Sequence, residues 1–387
     1  MFVEVEPAET VGAGRRRTKR QPSRPTQPFS VAVVEAGDLD DELLGIWRSL
    51  RAGNSDLHSP FFCPEFTLAV SRVRLDVEVG VLQRDGAVIG FLPFQRGRRG
   101  QGRPVAFGLS DFHGLVAGHD EMIDVKAMLS GCGLRSFSFN HLPASQAQFD
   151  ELATTHVSPF IDVSGGAAAW LAARRKAEPK RFDDLRRSKR RLSEVGDVRY
   201  ERHVDDAAVL DTLLRWKSAQ YRRTGVPDGF TIGWTVELLR DLHRTRTPGF
   251  GGQLSALWVG DELAAVHMGI ANQETWHYWF PSYSERFAPR SPGLLLLLEM
   301  AMDAGSTGVG RIDLGTGTAH YKSQFGDGAC TLLEGRAGDD GPVARRRRQL
   351  GSVASAGGDV LRRTPLAAPL RIPSRILRNY RKKHRLS

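Results

Sequence analysis

One local pattern occurs twice in this chain, and it constrains the fold more than any other feature. Val77 to Phe94, VEVGVLQRDGAVIGFLPF, is two alternating apolar runs joined by Arg84-Asp85-Gly86. Alternation is the period of a strand with one buried face, and Asp-Gly supplies the backbone freedom of a tight hairpin turn. About 175 residues later Leu254 to Val259 and Leu263 to Ala271 flank Gly260-Asp261-Glu262, and a third run, Thr275 to Tyr283, follows the turn at Asn272-Gln273. The repetition predicts a diverged internal duplication on antiparallel strands. Phe29 to Val34 reads as an earlier strand, and residues 39–51 and 207–223 show helical apolar spacing through Trp47 and Trp216. After the second meander come Ser291-Pro292-Gly293, a long apolar helix from Leu294 to Ala304, and a strand from Gly310 to Leu314. The expected class is α/β (α+β) with a mixed sheet.

A length of 387 residues suits two domains. The expected division is a disordered basic segment 1–27, a first copy 28–158, a second copy 159–335 and a basic, disordered tail 336–387, with a linker between copies near 155–165. The net charge of +10 is unevenly placed: residues 336–387 hold 14 Lys/Arg against 3 Asp/Glu, and residues 28–335 hold 34 against 38. The folded body is therefore mildly acidic. Arg345-Arg346-Arg347-Arg348 and Arg381-Lys382-Lys383 read either as a solvated tail or as a contact for anionic lipid or nucleic acid. Cys63, Cys132 and Cys330 are far apart, which fits a reducing cytoplasm and argues against a disulfide scaffold. The densest apolar run, Gly293 to Met302, is half the roughly 20 residues that span a bilayer, so the expectation is a cytoplasmic protein, peripheral to a membrane at most. No His, Cys or Glu spacing of metal-binding type occurs, nor a Walker loop or a nucleophile elbow, so no metal is expected.

The start of the apolar helix is the first candidate site. Free N–H groups and a partial positive charge at a helix N-terminus bind anions such as pyrophosphate. Ser291 suits the N-cap, Pro292 the first turn, and Gly293 leaves room for a phosphate beside Leu294; Arg286 and Arg290 add cations. The second candidate is Tyr321-Lys322, in a stretch running to Gly326, where a phenol can serve as a weak acid. Candidate bases are His267, His277, Asp313 and Asp111. His267 lies in a core strand and reads as structural or catalytic. Asp313, between Ile312 and Leu314, reads as a pocket or ion-pair carboxylate. Asp111 with His113 reads as an Asx-turn or as a holder of the acceptor. The stretch from Arg174 to Leu192 is a basic helix with ten Lys/Arg between Arg174 and Arg191. It suits an anionic glycan or lipid phosphate, an aminoacyl-tRNA, or plain solvent with local pairing to Glu178, Asp183 and Asp184.

Meander, helix N-terminus, helix and strand come in the order of the GNAT (acyl-CoA N-acyltransferase) core, and the chain resembles that superfamily. Arg290-Ser291-Pro292-Gly293-Leu294-Leu295 is similar to its Gln/Arg-x-x-Gly-x-Gly/Ala pattern except at Leu295, and Tyr321 to Gly326 resembles its tyrosine motif with one residue more before the glycine. Over residues 30–335 the layout resembles the CelD/BcsL-like members associated with cellulose and exopolysaccharide biosynthesis and related to FemAB peptidyltransferases. Pro60 to Phe66, Gly108 to Phe112 and Arg186 to Leu192 carry that likeness, with Phe66, Phe112 and Gly315 to Thr318 as departures. The resemblance implies two tandem GNAT copies and an acyl-CoA donor, acetyl-CoA first. On that reading Tyr321, Asp313 and His267 are the catalytic candidates, with Arg286 and Arg290 to Leu294 around the coenzyme. Asp111, His113, His277 and Lys322 would face a sugar amine or hydroxyl acceptor. A FemAB-like transfer from aminoacyl-tRNA and a non-catalytic scaffold are the alternatives. Only the second copy is expected to bind coenzyme A, because after Phe94 the first copy runs on into QRGRRGQGR with no apolar helix. The oligomeric state is left open.

Overall fold

Strands and helices form where the apolar periods change. The computed structural model describes residues 27–150 and 153–338; residues 1–26 and the basic clusters at 345–348 and 381–383 lie outside the described residues. Strand β1 (Ser30–Glu35) leads into helices α1 (Asp41–Ala52) and α2 (Pro64–Val73). Asp40 caps α1 through the Leu43 amide, and the buried Trp47 donates from its indole N–H to the Phe62 carbonyl at 2.8 Å. The hairpin β2 (Val77–Arg84) and β3 (Ala87–Arg96) turns on Asp85 and Gly86, both at positive φ as the sequence required. Short β4 (Gln101–Arg103) and β5 (Val116–Ala117), helix α3 (Val125–Gly131) and β6 (Ser136–Pro143) complete the first half. A short helix with Val125, Met128 and Leu129 buried therefore does follow the Arg-Gly stretch, contrary to expectation.

Strand β7 (Thr154–Asp162) opens the second half, followed by α4 (Ala167–Ala177), α5 (Pro179–Ser193) and β8 (Val198–Glu201). The single basic helix expected from Arg174 to Leu192 is two helices: Glu178 leaves helical geometry at ψ 55°, and Pro179 opens α5. Then come α6 (Ala207–Thr224), α7 (Gly233–Arg244), β9 (Arg246–Thr247) and the meander β10 (Phe250–Val259), β11 (Glu262–Asn272) and β12 (Thr275–Tyr283). Helix α8 (Pro292–Ala304), β13 (Arg311–Asp313), α9 (His320–Phe325) and β14 (Gly328–Gly338) finish the described chain. The tail boundary at 336 moves accordingly, since residues 336–338 end a paired strand.

All strands belong to one mixed sheet, in the order β1-β2-β3-β4-β6-β14-β7-β13-β12-β11-β10-β8, with β5 on β3 and β9 on β10. The order is symmetric about the β14–β7 pair. β4 and β6 are parallel in one half, β12 and β13 in the other, and every other neighbour on the path is antiparallel. The last strand is exchanged: β14 returns to β6 of the first half, and β7 stands between it and β13. Residues 155–165 are thus not a linker, because 154–162 form a strand in the middle of the sheet, and a division at 158/159 falls inside it. One hydrophobic core also crosses the halves. It joins Trp47, Phe66 and Val79 to Leu210, Leu213, Leu238 and Leu254. A second core buries Leu295, Leu296, Met300 and Ala304 of α8 with Trp170, Phe182 and Ile312. Among the described residues no helix is long and apolar enough to cross a membrane.

Candidate active site

The parallel pair β12–β13 is short: only Thr275 to His277 register with Arg311 to Asp313. Beyond that point the two strands part. A cavity of about 750 Å³ lies between them, walled by α6, the start of α8, the loop 314–319 and α9. Ser291, Pro292, Gly293, Leu294, Tyr321, Lys322 and Asp111 all line it, so the structure brings together two sequence motifs and one residue of the first half.

The helix start differs from the simple cap read in the sequence. Ser291 is at φ 49°, in the left-handed region, and its side chain makes no capping bond. Its carbonyl instead accepts from the amides of Leu294 and Leu295, at 3.1 and 3.2 Å. Pro292 has no N–H, so among the first-turn amides Gly293 alone is without a backbone acceptor. A Cβ on Gly293 would meet the Tyr283 ring at 3.3 Å, which makes a bare glycine the fitting residue at this wall. Leu295, the departure from the family pattern, is buried in the core rather than turned to the cavity. Arg290 is not on the cavity wall. Arg286 is ion-paired with Glu262 and lines a neighbouring hollow of about 350 Å³ with Arg223; Gln220 and Tyr283 line both spaces.

Asp111 reaches the cavity from the loop after β4. That loop is tied to the second half by the Trp279 indole, which donates to the Leu109 carbonyl at 3.0 Å. The Asp111 side chain is 27% exposed and its Oδ2 is 2.8 Å from His277 Nε2. His277 is fully buried on β12, edge-on to Phe61 at 4.9 Å, and its Nδ1 lies 3.5 Å from Asp313 Oδ1. Asp313 is fully buried; its Oδ1 accepts from Ser158 Oγ at 2.9 Å and the Gly315 amide at 2.8 Å. An imidazole thus sits between two carboxylates, one facing the cavity and one sealed. Burial pushes the Asp111 carboxyl up, but the His277 bond and charge, aided by His141 and Lys322, outweigh it and hold the group below its ordinary range. Burial dominates at Asp313 and raises it. Gly315, at φ 69°, makes the arrangement possible, since a Cβ there would stand 3.1 Å from Asp111 Oδ2.

Other expected site residues fall elsewhere. His267 lies off the wall beneath Tyr278, stacked at 4.5 Å, with Nε2 accepting from the Trp279 amide at 3.0 Å. A fully buried imidazole that accepts a backbone amide is held neutral, and its role is to fix β12. His113 is buried too, its Nε2 accepting from the Asn140 and His141 amides at 3.2 and 3.0 Å. Tyr321 is on the wall, and burial pushes its phenol up to about 12, which makes it a hydrogen-bond donor for a departing sulfur rather than a strong acid. Lys322 donates to the Gly315 and Thr316 carbonyls at 3.0 and 2.7 Å and pins the 314–319 loop. On its other flank Asp313 meets His58 and Cys330, with donor atoms of all three within 4.8 Å of one another. The guanidinium of Arg311 is 3.7 Å from that sulfur, and its charge opposes a cation there. Lys217, Tyr221 and Trp279 also line the cavity without having been singled out in the sequence.

The basic stretch has a structural use. Arg174 donates to the carbonyls of Ser323 and Gln324, and Arg181 to the Gln324 side chain at 2.7 Å. Arg174 therefore satisfies free carbonyls at the C-terminal end of α9, and both cations complement the negative end of that helix. Arg186, Arg187 and Lys189 pair with Asp183, Asp184 and Glu299.

Residues 179–323 match the family described as acetyltransferase (GNAT) domain. No curated protein matches the chain. Among solved structures it is similar to FemX, at 10% identity over 67% of this chain and 87% of that one with TM-score 0.46. It is also similar to a tandem GNAT protein from the clavulanic acid biosynthesis pathway, at 13% over 81% and 100% with TM-score 0.43. A third is a conserved protein of unknown function from Bacteroides thetaiotaomicron, at 13% over 77% and 99% with TM-score 0.47. Through its match over 179–323, which takes in every cavity residue named above except Asp111, this mixed α/β chain carries a GNAT domain and is an enzyme of the acyltransferase class.

Proposed function

We propose that the cavity between β12 and β13 takes acyl-CoA, acetyl-CoA first, and passes the acyl group to an amine or hydroxyl of a sugar or polysaccharide precursor. The observation that carries the acyl-transfer reading is the convergence on one cavity of the Gly293 helix start, Tyr321 and the Asp111–His277–Asp313 chain. The sugar acceptor rests on the sequence resemblance.

In this reading the Gly293 amide and the positive end of α8 receive the coenzyme's phosphates, and Arg223 and Arg286 in the adjoining hollow, each paired with a glutamate, face the part that extends over the rim. Asp111 meets the acceptor and removes its proton as the nucleophile attacks the thioester carbonyl. The environments of the two carboxylates set the direction of proton movement. Asp111 is held low and Asp313 is raised, so a proton taken at the cavity passes through His277 and rests on the sealed carboxylate. Shortening of the 3.5 Å His277–Asp313 separation by a few tenths of an ångström closes that path. Tyr321 donates a hydrogen bond to the leaving sulfur. Catalysis then needs both halves of the chain, since Asp111 belongs to the first and every other group to the second.

The test is calorimetric titration with acetyl-CoA of the intact chain beside Gly293→Trp. Binding in the micromolar range that the substitution abolishes supports the donor site. Absence of binding in the intact, folded chain removes acetyl-CoA as donor and with it the roles given to Gly293 and Tyr321.

A further inference from the structure

Two lysines line the cavity, and their surroundings differ. Lys322 is locked by two carbonyl acceptors on its own side of the cavity, with Asp111 and Asp313 favouring its charge against the burial that lowers it. Lys217 projects from α6 on the opposite wall. Its Nζ donates to a single acceptor, the Pro281 carbonyl at 2.9 Å, at the place where β12 has parted from β13. Among the described residues no carboxylate is ion-paired with it, and Lys322 is a second cation on the same cavity. Around it stand Tyr221, whose ring its ammonium overlies at 5.4 Å, then Tyr278, Tyr321, Asp111 and the neutral His267 beneath. One carbonyl and one ring face offset only part of that burial, and one hydrogen-bond acceptor leaves the nitrogen lone pair free once the proton is gone. Burial and Lys322 bring the amine down to about 8, so a sizeable fraction is neutral near physiological pH.

We infer that Lys217 is itself an acyl acceptor: acyl-CoA bound in the cavity transfers its acyl group to Lys217 Nζ, leaving an acyl-lysine on the wall. The inference rests on the acyl-CoA reading of the cavity. The neutral amine attacks the thioester carbonyl carbon, a C–N bond forms, the C–S bond breaks, and the proton shed by nitrogen ends on the departing thiolate. The products are an amide and free coenzyme A thiol. The modification replaces a cation by a bulkier neutral group in the cavity that Asp111 also lines, so it narrows the acceptor's space and makes the enzyme responsive to donor in excess over acceptor.

The experiment is incubation of the full chain with acetyl-CoA alone, followed by intact mass measurement and peptide mapping. One acetyl group at Lys217, approaching full occupancy and at least tenfold above exposed Lys126, Lys176 and Lys180, is expected, and it should vanish in Gly293→Trp while circular dichroism shows that variant folded. Lys217→Arg should leave no other residue acetylated in its place. Calorimetry on the same preparation separates the two failures. Acetyl-CoA that binds without acylating Lys217, or acylation of Lys217 no higher than that of the exposed lysines or undiminished in Gly293→Trp, overturns the inference and leaves the donor reading. Absence of both binding and acylation overturns both.

Discussion

Replacing Lys217 by Met should stabilise the protein at neutral pH, by an amount that falls away in alkali. The amine is lowered from its ordinary 10.5 to about 8, chiefly by burial and secondarily by Lys322. At 1.36 kcal/mol per unit, the folded state carries a penalty of roughly 3 kcal/mol while the ammonium persists in both states. The substitution removes that penalty and loses a charge-assisted bond to the Pro281 carbonyl of about 1.5–3 kcal/mol. Those opposed terms leave a net gain of about 1 kcal/mol near neutrality, whereas the pH dependence does not rely on the cancellation. Below the folded value both states are protonated and the wild-type penalty is complete. Between about 8 and 10.5 the unfolded chain holds a proton that the folded chain has lost, so wild-type stability rises with pH relative to the variant. The wild-type-minus-variant difference should therefore climb by roughly 3 kcal/mol across that window and then level. Urea denaturation of both proteins at a series of pH values measures it, with other alkaline titrations cancelling in the difference. Parallel curves through the whole window would refute the account of a desolvated ammonium on the cavity wall.

Three other substitutions probe separate parts of the site. Asp111→Asn keeps an acceptor for His277 but cannot take a proton; release of coenzyme A thiol in the presence of acceptor should fall by about 10²–10⁴-fold with acetyl-CoA affinity unchanged, and a loss of only a few-fold would remove Asp111 as the base. Asp313→Ala strands the Ser158 hydroxyl and the Gly315 amide in a sealed site and should cost roughly 2–4 kcal/mol in urea denaturation, while Asp313→Asn, which keeps an acceptor oxygen, should cost far less; equal losses would show that those bonds contribute little. Arg174→Ala uncaps α9, so amides of residues 320–325 should exchange with solvent about fivefold faster, the equivalent of about 1 kcal/mol, and unchanged exchange would mean that the caps do not hold the Tyr321 helix.

Local order was legible in this sequence because each element announces its own period. Arg84-Asp85-Gly86 fixed one hairpin, and α6 runs Ala207–Thr224 against an expectation of 207–223. Partner choice was not legible, and the reason is visible in β7. Its sequence, TTHVSPFID, has polar residues at one end and Pro159 in the middle, and so it resembles a connection. It is a central strand because β14 and β13, more than 140 residues farther along the chain, supply neighbours on both sides. That same pairing places Ser158 against Asp313 and closes the sealed end of the His277 chain.

The candidate site shows the same division. Asp313 was visible as a carboxylate in an apolar run, Asp111 as a loop residue beside His113, and His277 as a candidate base, but no period couples residues that lie in different halves, so the chain of contacts among them could not be read. His267 was equally visible and belongs to the core, since a histidine in a strand has the same sequence signature whether its ring accepts a backbone amide or faces a ligand. The face was undecided because β11 is buried on both sides, which erases the alternation that would have assigned it. Lys217 was hidden for a related reason. On α6 it is one cation on an amphipathic helix with Arg215, Arg222 and Arg223, and only the parting of β12 from β13 turns its position into a cavity wall. A sequence signals a buried charge only through the partner that neutralises it; where the partner is a lone backbone carbonyl, as at Pro281, there is no second residue to find.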